Sequence, residues 1–496
     1  MKFARPSVRP IAVGELVQKF GIKSEKLDQK ITGISHSTKS LEKNDLFVAL
    51  AGQNNHGASF VNDAIKQGAT AILTDFKASE LLKDLPISVL IHENPRHILG
   101  ELSSFIFGEP SKKLNVFGIT GTNGKTTTAW LLKAGLENCG IKTGLLGTAG
   151  ISIPGLDIAS ERTTPEAPEL QSLLALAVEK GAQAISMEVS SHSIKLERIN
   201  GTLFKAVGFT NLSQDHLDFH GNMQDYFQTK ASLFNEKFSS KAFVTTNDQW
   251  GQNLNNLIKI SHESLGGDVT NDWRVVDITA ALGHVDFTLQ NKKKQNFQVN
   301  LAFAGAFNAF NAALAIAMGN ELDVDLYKFI KGIESLQIPG RMQPVVLPNS
   351  PLGIVDYAHS PEAIENVLSS LKKQTKGKLV VVVGAGGNRD KEKRPQMGKA
   401  CSDFADWVII TDDNPRDEDP SSIRKSIISG IKNLDNVIEI ESRKEAIKKA
   451  VEIANDLDTI AVLGKGHETY QEIKGQTYSF NDFEILRELI QNKRGE

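Results

Sequence analysis

One short stretch in the first third of the chain constrains the fold more than any other. It begins with an apolar run over residues 116–119, which is typical of a buried strand. The run breaks into a turn that carries Gly121 and Gly124, and a helix with Leu131 on its apolar face is predicted to begin near Lys125. A strand, a glycine turn and a helix N-terminus in this order predict an α/β sheet with a phosphate site at the turn.

The chemistry of this turn favours a nucleoside triphosphate as the ligand. Glycine allows backbone N–H groups to point inward, and the helix dipole adds positive potential. Lys125 would supply a charge to the terminal phosphates, and the Thr126 hydroxyl could ligate Mg²⁺. The strict phosphate-loop pattern requires glycine at position 119, whereas Ile119 stands there and Gly118 lies one position earlier. The alternative is a glycine turn that carries a lysine by chance.

Composition bounds the class of protein. The chain has 496 residues, of which 40% are hydrophobic and 23% charged, and this predicts a globular protein of about three domains. The formal net charge of −3 disfavours nucleic acid as a partner, and no apolar run approaches the roughly 20 residues that cross a membrane. Cys139 and Cys401 lack metal-ligand spacing, and no apolar run follows the N-terminal charges. We therefore expect a cytoplasmic protein without nucleic-acid or membrane partners.

Strand-like and helix-like runs divide the chain into three α/β domains. Residues 1–111 hold short strand-like runs between helical ones and predict a small N-terminal domain. Residues 112–338 alternate regularly, which predicts a mostly parallel central sheet with an antiparallel excursion over residues 268–300. Residues 339–496 predict a Rossmann-like C-terminal domain with a second sheet.

Polar clusters follow five of the predicted strands. Since ligands of parallel sheets bind at the carboxyl ends of strands, these clusters predict an active site in a cleft between the two larger domains. The clusters lie at residues 188–192, 210–216, 384–393, 412–416 and 464–468.

Seven motifs occur in the order found in the Mur ligases. They are TGTNGKTT from Thr120, TTP from Thr163, MEVSSH from Met187, TNLSQDHLD from Thr210, GAFNAFN from Gly305, GRM from Gly340 and VDYAHSP from Val355. The chain therefore resembles this family, and its MurE-type members most, from about residue 32 to residue 470. The resemblance implies a three-domain ligase that forms an amide bond through an acyl phosphate and consumes ATP. It also implies a role in peptidoglycan precursor synthesis, and we expect a monomer.

The resemblance places ATP between the phosphate turn, a middle-domain helix and the start of the third domain. Asn308 and Asn311 are three residues apart, so on a helix they share one face. The implied ATP residues are Gly121, Thr122, Asn123, Gly124, Lys125, Thr126, Thr127, Asn308, Asn311, Arg341, Asp356, Tyr357 and His359.

The resemblance further implies catalytic residues around two Mg²⁺ ions. Lys125, Glu188, His216 and Lys230 are the implied catalytic residues, and Thr126, Glu188, His216 and Lys230 the metal ligands. Lys230 would act as N6-carboxylysine, because CO₂ converts an amine that repels Mg²⁺ into an oxygen ligand. From the residues alone, His216 would be a satisfied loop histidine and Lys230 a solvated lysine on an amphipathic helix.

Five residues resemble positions that hold UDP-N-acetylmuramoyl-L-alanyl-D-glutamate, the family's substrate. Hydroxyls and an arginine fork suit an acidic, hydroxyl-rich ligand. Thr163, Thr164, Ser190 and Arg198 correspond to the muramoyl-dipeptide positions. Thr38 corresponds to a uridine position, in a Ser-Thr-Lys segment where the family commonly has Asp-Ser-Arg.

The C-terminal domain carries the motif of members that add meso-2,6-diaminopimelate. Arg416, in the sequence Asp-Asn-Pro-Arg, offers a bidentate donor to the distal carboxylate of this amino acid, a group that lysine lacks. The alternative is a surface arginine paired with Asp417 or Glu418. The implied diaminopimelate residues are Arg389, Asp413, Asn414, Arg416, Gly464 and Glu468.

Two rival functions remain open at this point. A sister ligase could add L-lysine or build folylpolyglutamate, although the Arg416 motif and the uridine segment disfavour it. A nucleotide-binding regulatory module could share the phosphate turn, but it would not require Glu188, His216 and Lys230 together.

Overall fold

The chain folds around three main sheets, and the computed structural model describes residues 4–52, 55–82, 85–281 and 283–493. The outer ends of the first and third predicted domains, residues 1–3 and 494–496, lie outside the described residues. The mixed α/β fold with largely parallel sheets confirms the predicted fold class. Among the described residues no helix is long and apolar enough to cross a bilayer.

The N-terminal part contains a four-stranded parallel sheet in the order β3-β4-β5-β6 and a short antiparallel pair, β1 with β2. The strands are β1 (Ile11–Ala12), β2 (Lys30–Ile31), β3 (Gly33–Ser35), β4 (Asp45–Val48), β5 (Ala71–Thr74) and β6 (Ser88–Ile91). The helices are α1 (Val13–Phe20), α2 (Val61–Lys66), α3 (Phe76–Ser79) and α4 (Pro95–Ile106).

The central part is built on an eleven-stranded sheet in the order β10-β9-β8-β11-β7-β12-β13-β14-β15-β16-β17. The strands are β7 (Asn115–Thr120), β8 (Thr143–Gly147), β9 (Gly150–Ile153), β10 (Leu156–Ile158), β11 (Ala184–Glu188), β12 (Ala206–Phe209), β13 (Lys241–Thr245), β14 (Ser261–Gly266), β15 (Trp273–Ala281), β16 (His284–Gln290) and β17 (Asn296–Leu301). Seven neighbouring strands of this sheet are parallel, in the spatial order β8-β11-β7-β12-β13-β14-β15. Strands β15, β16 and β17 form the predicted antiparallel excursion.

Helices cover both faces of the central sheet, as crossover connections require. Leu132, Leu314 and Phe329 contribute to the core on one face, and Leu173 and Phe227 to the core on the other. The helices are α5 (Lys125–Asn138), α6 (Ala167–Glu179), α7 (Ser191–Lys195), α8 (Leu217–His220), α9 (Met223–Ala231), α10 (Gln249–Leu257), α11 (Phe307–Gly319) and α12 (Leu326–Glu334).

The C-terminal part has a six-stranded sheet in the order β18-β19-β23-β20-β21-β22, parallel except for β18, and a separate hairpin, β24-β25. The strands are β18 (Gln343–Val345), β19 (Leu352–Asp356), β20 (Leu379–Val383), β21 (Trp407–Ile410), β22 (Val437–Glu439), β23 (Thr459–Leu463), β24 (Tyr470–Ile473) and β25 (Gln476–Ser479). The helices are α13 (Pro361–Gln374), α14 (Lys393–Phe404), α15 (Pro420–Ile428), α16 (Arg443–Ile453) and α17 (Asp482–Lys493).

A buried ion pair fixes the last helix against the C-terminal sheet. Arg443 donates to both carboxylate oxygens of Asp482 at 2.8 and 2.7 Å, and both side chains are fully buried. Arg443 also donates to the Leu463 carbonyl at 2.9 Å, at the end of β23. The pair therefore also supports the loop that begins at Gly464.

We expect Asp482→Ala to lower the free energy of unfolding of the C-terminal part by about 3–5 kcal/mol, because it leaves a buried guanidinium uncompensated. Urea unfolding followed by tryptophan fluorescence measures this change. Glu484→Ala is the matched control, since it removes a carboxylate from an exposed pair with Arg487 and should leave the midpoint unchanged. Equal midpoints for the two variants would contradict the assigned role of the buried pair.

Candidate active site

The turn between β7 and α5 is held in a conformation that glycine favours. Gly121 and Gly124 have φ angles of +148° and +85°. A Cβ atom at Gly121 would overlap the Thr210 hydroxyl, and one at Gly124 would overlap the Asn311 amide. The turn is therefore packed closely against the end of β12 and the first turn of α11.

Lys125 opens helix α5 and folds back over the turn. Its Nζ donates to the carbonyls of Gly121 at 3.0 Å and Thr122 at 2.8 Å. Burial lowers the pKa of the Lys125 amine, while Glu188 and Asp215 oppose this shift. The amine and the free N–H groups of the helix N-terminus form a site for an anion such as a triphosphate.

Glu188, the last residue of β11, lies beside this helix N-terminus because β11 pairs with β7 in parallel. Its carboxylate is buried and accepts hydrogen bonds from the Thr126 hydroxyl at 2.9 Å and from the Thr148 amide at 2.8 Å. The Thr148 hydroxyl donates to the same carboxylate at 3.1 Å. A carboxylate and hydroxyls are oxygen ligands of the kind that Mg²⁺ prefers.

Lys230 on α9 is buried, with 1% of its surface exposed, and is not the solvated lysine that its helical pattern alone predicts. Its Nζ donates to the Gly121 carbonyl at 2.8 Å and lies 4.8 Å from the centre of the Tyr226 ring. Burial and the nearby Lys125 lower the pKa of the Lys230 amine well below its ordinary value, and Asp215 opposes them only in part. The amine is thus favoured in its neutral, nucleophilic form.

His216 follows β12 and packs among aromatic rings. Its ring centre lies 4.9 Å from that of His192 and 6.4 Å from that of Tyr226, and its Nε2 lies 3.4 Å from an Asp215 oxygen. Desolvation of this half-buried ring lowers the pKa of His216 to about 3 although Asp215 opposes the shift, and this favours the neutral imidazole, the form in which histidine ligates metals. Tyr226 therefore contacts both His216 and Lys230.

The described part of the chain contains no group of three or more His, Cys, Asp or Glu side chains arranged to hold a metal ion. A metal bound here would therefore need oxygen ligands in addition to the Glu188 carboxylate and the His216 nitrogen. The Thr126 hydroxyl and substrate phosphates are the available sources, together with a carbamate if Lys230 carries one.

The C-terminal part reaches across to the phosphate turn. The Arg341 guanidinium donates to the Thr126 hydroxyl at 2.9 Å and stacks 4.6 Å from the centre of the Tyr357 ring. His467 Nε2 hydrogen-bonds the Thr148 carbonyl at 3.1 Å. The predicted cleft is thus lined from both sides.

A second bridge between the two parts joins Asp215 and Lys393, to which the sequence assigned no role, and includes the predicted ATP residue His359. Lys393 Nζ lies 3.2 Å from one Asp215 oxygen, and His359 Nε2 lies 3.8 Å from the other. Burial opposes ionisation of Asp215, but His216, Lys393 and His359 together hold its pKa below the ordinary value. The sequence could have indicated Asp215 and Lys393 as site residues by their position, because both lie in polar clusters that follow strands.

Three of the predicted ATP residues, Asn308, Asn311 and Asp356, are held by local hydrogen bonds. Asn311 donates to the Asn308 side chain at 2.9 Å, so the two amides share one face of α11 as predicted. Asp356 is buried at the end of β19 and accepts from the amides of Met342 at 2.7 Å and Ala358 at 2.8 Å.

Of the five residues predicted to hold the UDP-linked substrate, the four assigned to the muramoyl-dipeptide meet beside β11. The Thr164 hydroxyl donates to the Glu188 carbonyl at 2.8 Å and accepts from the Ser190 amide at 3.1 Å. Arg198 donates to the Thr164 carbonyl at 3.5 Å, and Thr163 is the neighbouring residue. The fifth, Thr38, is half-buried in the loop after β3, and its side chain makes no hydrogen bond to another described residue.

The residues predicted to bind diaminopimelate lie together at the carboxyl ends of β20, β21 and β23. Asn414 donates to the Glu468 carboxylate at 2.8 Å, and a Cβ atom at Gly464 would lie 2.7 Å from an Asp413 oxygen. Lys465, which has no predicted role, is fully buried and donates to Asn414 at 3.0 Å.

Arg389 lies in the loop after β20, and Arg416 lies beside this loop. A Cβ atom at Gly386 would lie 3.0 Å from Arg416 Nη1 and 3.7 Å from Arg389 Cγ. Arg416 pairs with Glu472 at 3.1 Å, which replaces the pairing with Asp417 or Glu418 that was the alternative from sequence. Glu418 instead binds Arg394 through two hydrogen bonds of 2.8 Å.

Comparison with known proteins decides the family. Three Mur ligase family profiles match the chain: the catalytic-domain profile over residues 30–105, the middle domain over 119–319 and the glutamate ligase domain over 340–466. A relative from Aquifex aeolicus is 41% identical over 466 residues, with 93% of this chain and 94% of the relative covered. The chain belongs to the Mur ligase family. A relative from Streptomyces avermitilis is 39% identical over 500 residues, 99% of this chain and 98% of its own length.

Both of these relatives are named UDP-N-acetylmuramoyl-L-alanyl-D-glutamate–2,6-diaminopimelate ligase. A solved structure with the same name superposes with a TM-score of 0.68 at 29% identity, and the match covers 98% of this chain and 100% of the other. The three-part architecture described above is therefore shared with a solved ligase.

Proposed function

We propose that this Mur ligase adds meso-2,6-diaminopimelate to UDP-N-acetylmuramoyl-L-alanyl-D-glutamate with consumption of ATP. The relatives that are 39% and 41% identical over nearly the whole chain carry the name of this reaction. The observation that carries the choice of amino acid is the Arg416 guanidinium, which lies beside the Arg389 loop at the carboxyl edge of the C-terminal sheet. Two arginines there suit an amino acid with two carboxylates.

In the proposed reaction an oxygen of the substrate's glutamate carboxylate attacks the γ-phosphorus of ATP and ADP leaves. The amine of diaminopimelate then attacks the resulting acyl phosphate; phosphate leaves, and the nitrogen loses a proton. Lys125 and the N–H groups of the turn would hold the phosphates and offset the repulsion between two anions. Arg341, which already contacts Thr126, would bring the C-terminal part onto ATP.

Two Mg²⁺ ions are part of the proposal, and the residues present suit them. The Glu188 carboxylate and the Thr126 hydroxyl, 2.9 Å apart, would hold the first ion, and neutral His216 the second. When bound, these ions would neutralise charge on the transferring phosphoryl group.

Carbamylation of Lys230 supports the second ion in this proposal. The neutral Lys230 nitrogen would add to the carbon of CO₂ and lose a proton, which gives a carboxylate in place of an amine. The burial of Lys230 beside Lys125 supports this step, because two buried ammonium groups side by side would repel each other.

The substrate would span all three parts of the chain. Thr163, Thr164, Ser190 and Arg198 would hold the dipeptide, and Thr38 the uridine. His36, two residues before Thr38, and Pro168, four residues after Thr164, line one pocket, which supports the proximity of this loop to the dipeptide site. We also propose that the enzyme acts as a monomer in the cytoplasm.

The test is phosphate release measured with a panel of amino acids. We expect release that requires both UDP-N-acetylmuramoyl-L-alanyl-D-glutamate and meso-diaminopimelate, with L-lysine at least about a hundredfold poorer in kcat/KM because it offers Arg416 no distal carboxylate. Equal use of L-lysine would overturn the assigned specificity. ATP hydrolysis that is independent of any amine acceptor would instead favour a nucleotide-binding regulatory module.

A further inference from the structure

The hairpin β24-β25 is docked onto the turn that carries Arg416. The Arg416 amide donates to the Glu472 carbonyl at 3.2 Å, and the Lys474 amide donates to the Arg416 carbonyl at 2.8 Å. These bonds form an isolated parallel bridge between Arg416 and Ile473. The hairpin therefore forms an outer wall of the amino-acid site.

Glu472 on this hairpin also contacts the Arg416 side chain. Its Oε2 accepts from Arg416 Nε at 3.1 Å, while Arg416 Nη1 donates to the Gly387 carbonyl at 2.8 Å. Two of the five guanidinium N–H groups are thus engaged, and the three others belong to Nη1 and Nη2. Both side chains keep access to solvent, with exposed fractions of 22% for Arg416 and 34% for Glu472.

Two further bonds tie the hairpin to residues of the same site. The Glu472 amide donates to the Asn414 side chain at 2.9 Å, and Gln471 donates to the Asp413 carbonyl at 2.6 Å. Asn414 in turn donates to Glu468. The position of Glu472 is therefore fixed relative to the Asp413–Arg416 turn, as a specificity residue requires.

We propose that Glu472 is a specificity-determining residue that orients Arg416 and supplies the negative half of a charge pair. This inference rests on the proposed function. Arg416 alone would favour any distal carboxylate, whereas a neutral Arg–Glu pair is complementary to a distal centre that carries both a carboxylate and an ammonium group. Diaminopimelate has such a centre, L-lysine lacks its carboxylate, and L-2-aminopimelate lacks its ammonium.

The test compares Glu472→Ala and Glu472→Gln with these three acceptors in the phosphate-release assay. Glu472→Ala should raise the KM for diaminopimelate about tenfold with kcat within about twofold, the effect of one charge-assisted hydrogen bond. The same variant should use L-2-aminopimelate about tenfold better relative to diaminopimelate, as judged by the ratio of the two kcat/KM values. Glu472→Gln keeps an oxygen that can accept from Arg416 Nε but carries no charge, so it should recover only the part of the diaminopimelate affinity that depends on the orientation of Arg416, while the raised ratio persists.

The control is Glu484→Ala, which removes a carboxylate paired with Arg487 on helix α17. It should leave all three acceptors unchanged, and the KM values for ATP and the UDP-dipeptide should stay at wild-type level in every variant. An unchanged ratio in Glu472→Ala, or a lower KM for diaminopimelate, would overturn the inference alone. Failure of the wild-type enzyme to use diaminopimelate would overturn the proposed function instead.

Discussion

We expect Lys230→Ala to reduce the rate of phosphate release by roughly a thousandfold, about 4 kcal/mol of transition-state stabilisation. The reason is specific to this buried site. Lys230 lies against the phosphate turn, where its Nζ contacts the Gly121 carbonyl, so a carboxylate built on that nitrogen would lie beside the bound triphosphate. Alanine removes both the amine and the oxygen ligand that CO₂ would create from it.

Two further variants separate the carbamate from a purely structural lysine. Lys230→Arg keeps a long nitrogen-bearing side chain but cannot form the carbamate, and we expect it to be as inactive as alanine. Lys230→Glu supplies a carboxylate directly and should recover part of the rate. Added bicarbonate should restore neither the alanine nor the arginine variant; an active Lys230→Arg enzyme would refute the carbamate role.

The strands and the edges at which they end were predictable because their signals are local. The apolar runs at 184–187 and 206–209 became β11 and β12, which flank β7. Parallel pairing then places Glu188 and the segment after Phe209 at the same edge as the phosphate turn. The shared face of Asn308 and Asn311 followed from helical spacing in the same way.

The remaining features depend on packing between segments that are distant in sequence. Lys230 looks solvated from its helix pattern, and only the packing of α9 against the phosphate turn buries it. The Asp215–Lys393 pair spans 178 positions and the Thr148–His467 contact 319. Periodicity reports which face of an element is apolar, but not which distant loop that face meets.

We expect Glu188→Gln to lower the rate of phosphate release by roughly a hundredfold or more and to raise the Mg²⁺ concentration needed for half-maximal rate. The substitution is chosen because it preserves shape. The glutamine oxygen can still accept from the Thr148 amide, and its NH₂ group can donate to the hydroxyl of Thr126. Loss of the negative charge is then the principal change at the metal position.

The matched control is Glu263→Gln, a buried carboxylate of the same sheet that pairs with Lys241 at 2.8 Å and accepts from Trp273 at 2.7 Å. It should lower the thermal midpoint without changing the Mg²⁺ dependence, because Glu263 lies on β14, which β12 and β13 separate from β7 in the sheet. Glu188→Gln should show the reverse, with a nearly unchanged midpoint and a shifted Mg²⁺ curve. A slow Glu188→Gln enzyme with the wild-type Mg²⁺ curve would mean that Glu188 acts by orienting Thr126 and Thr148 and not by holding the ion.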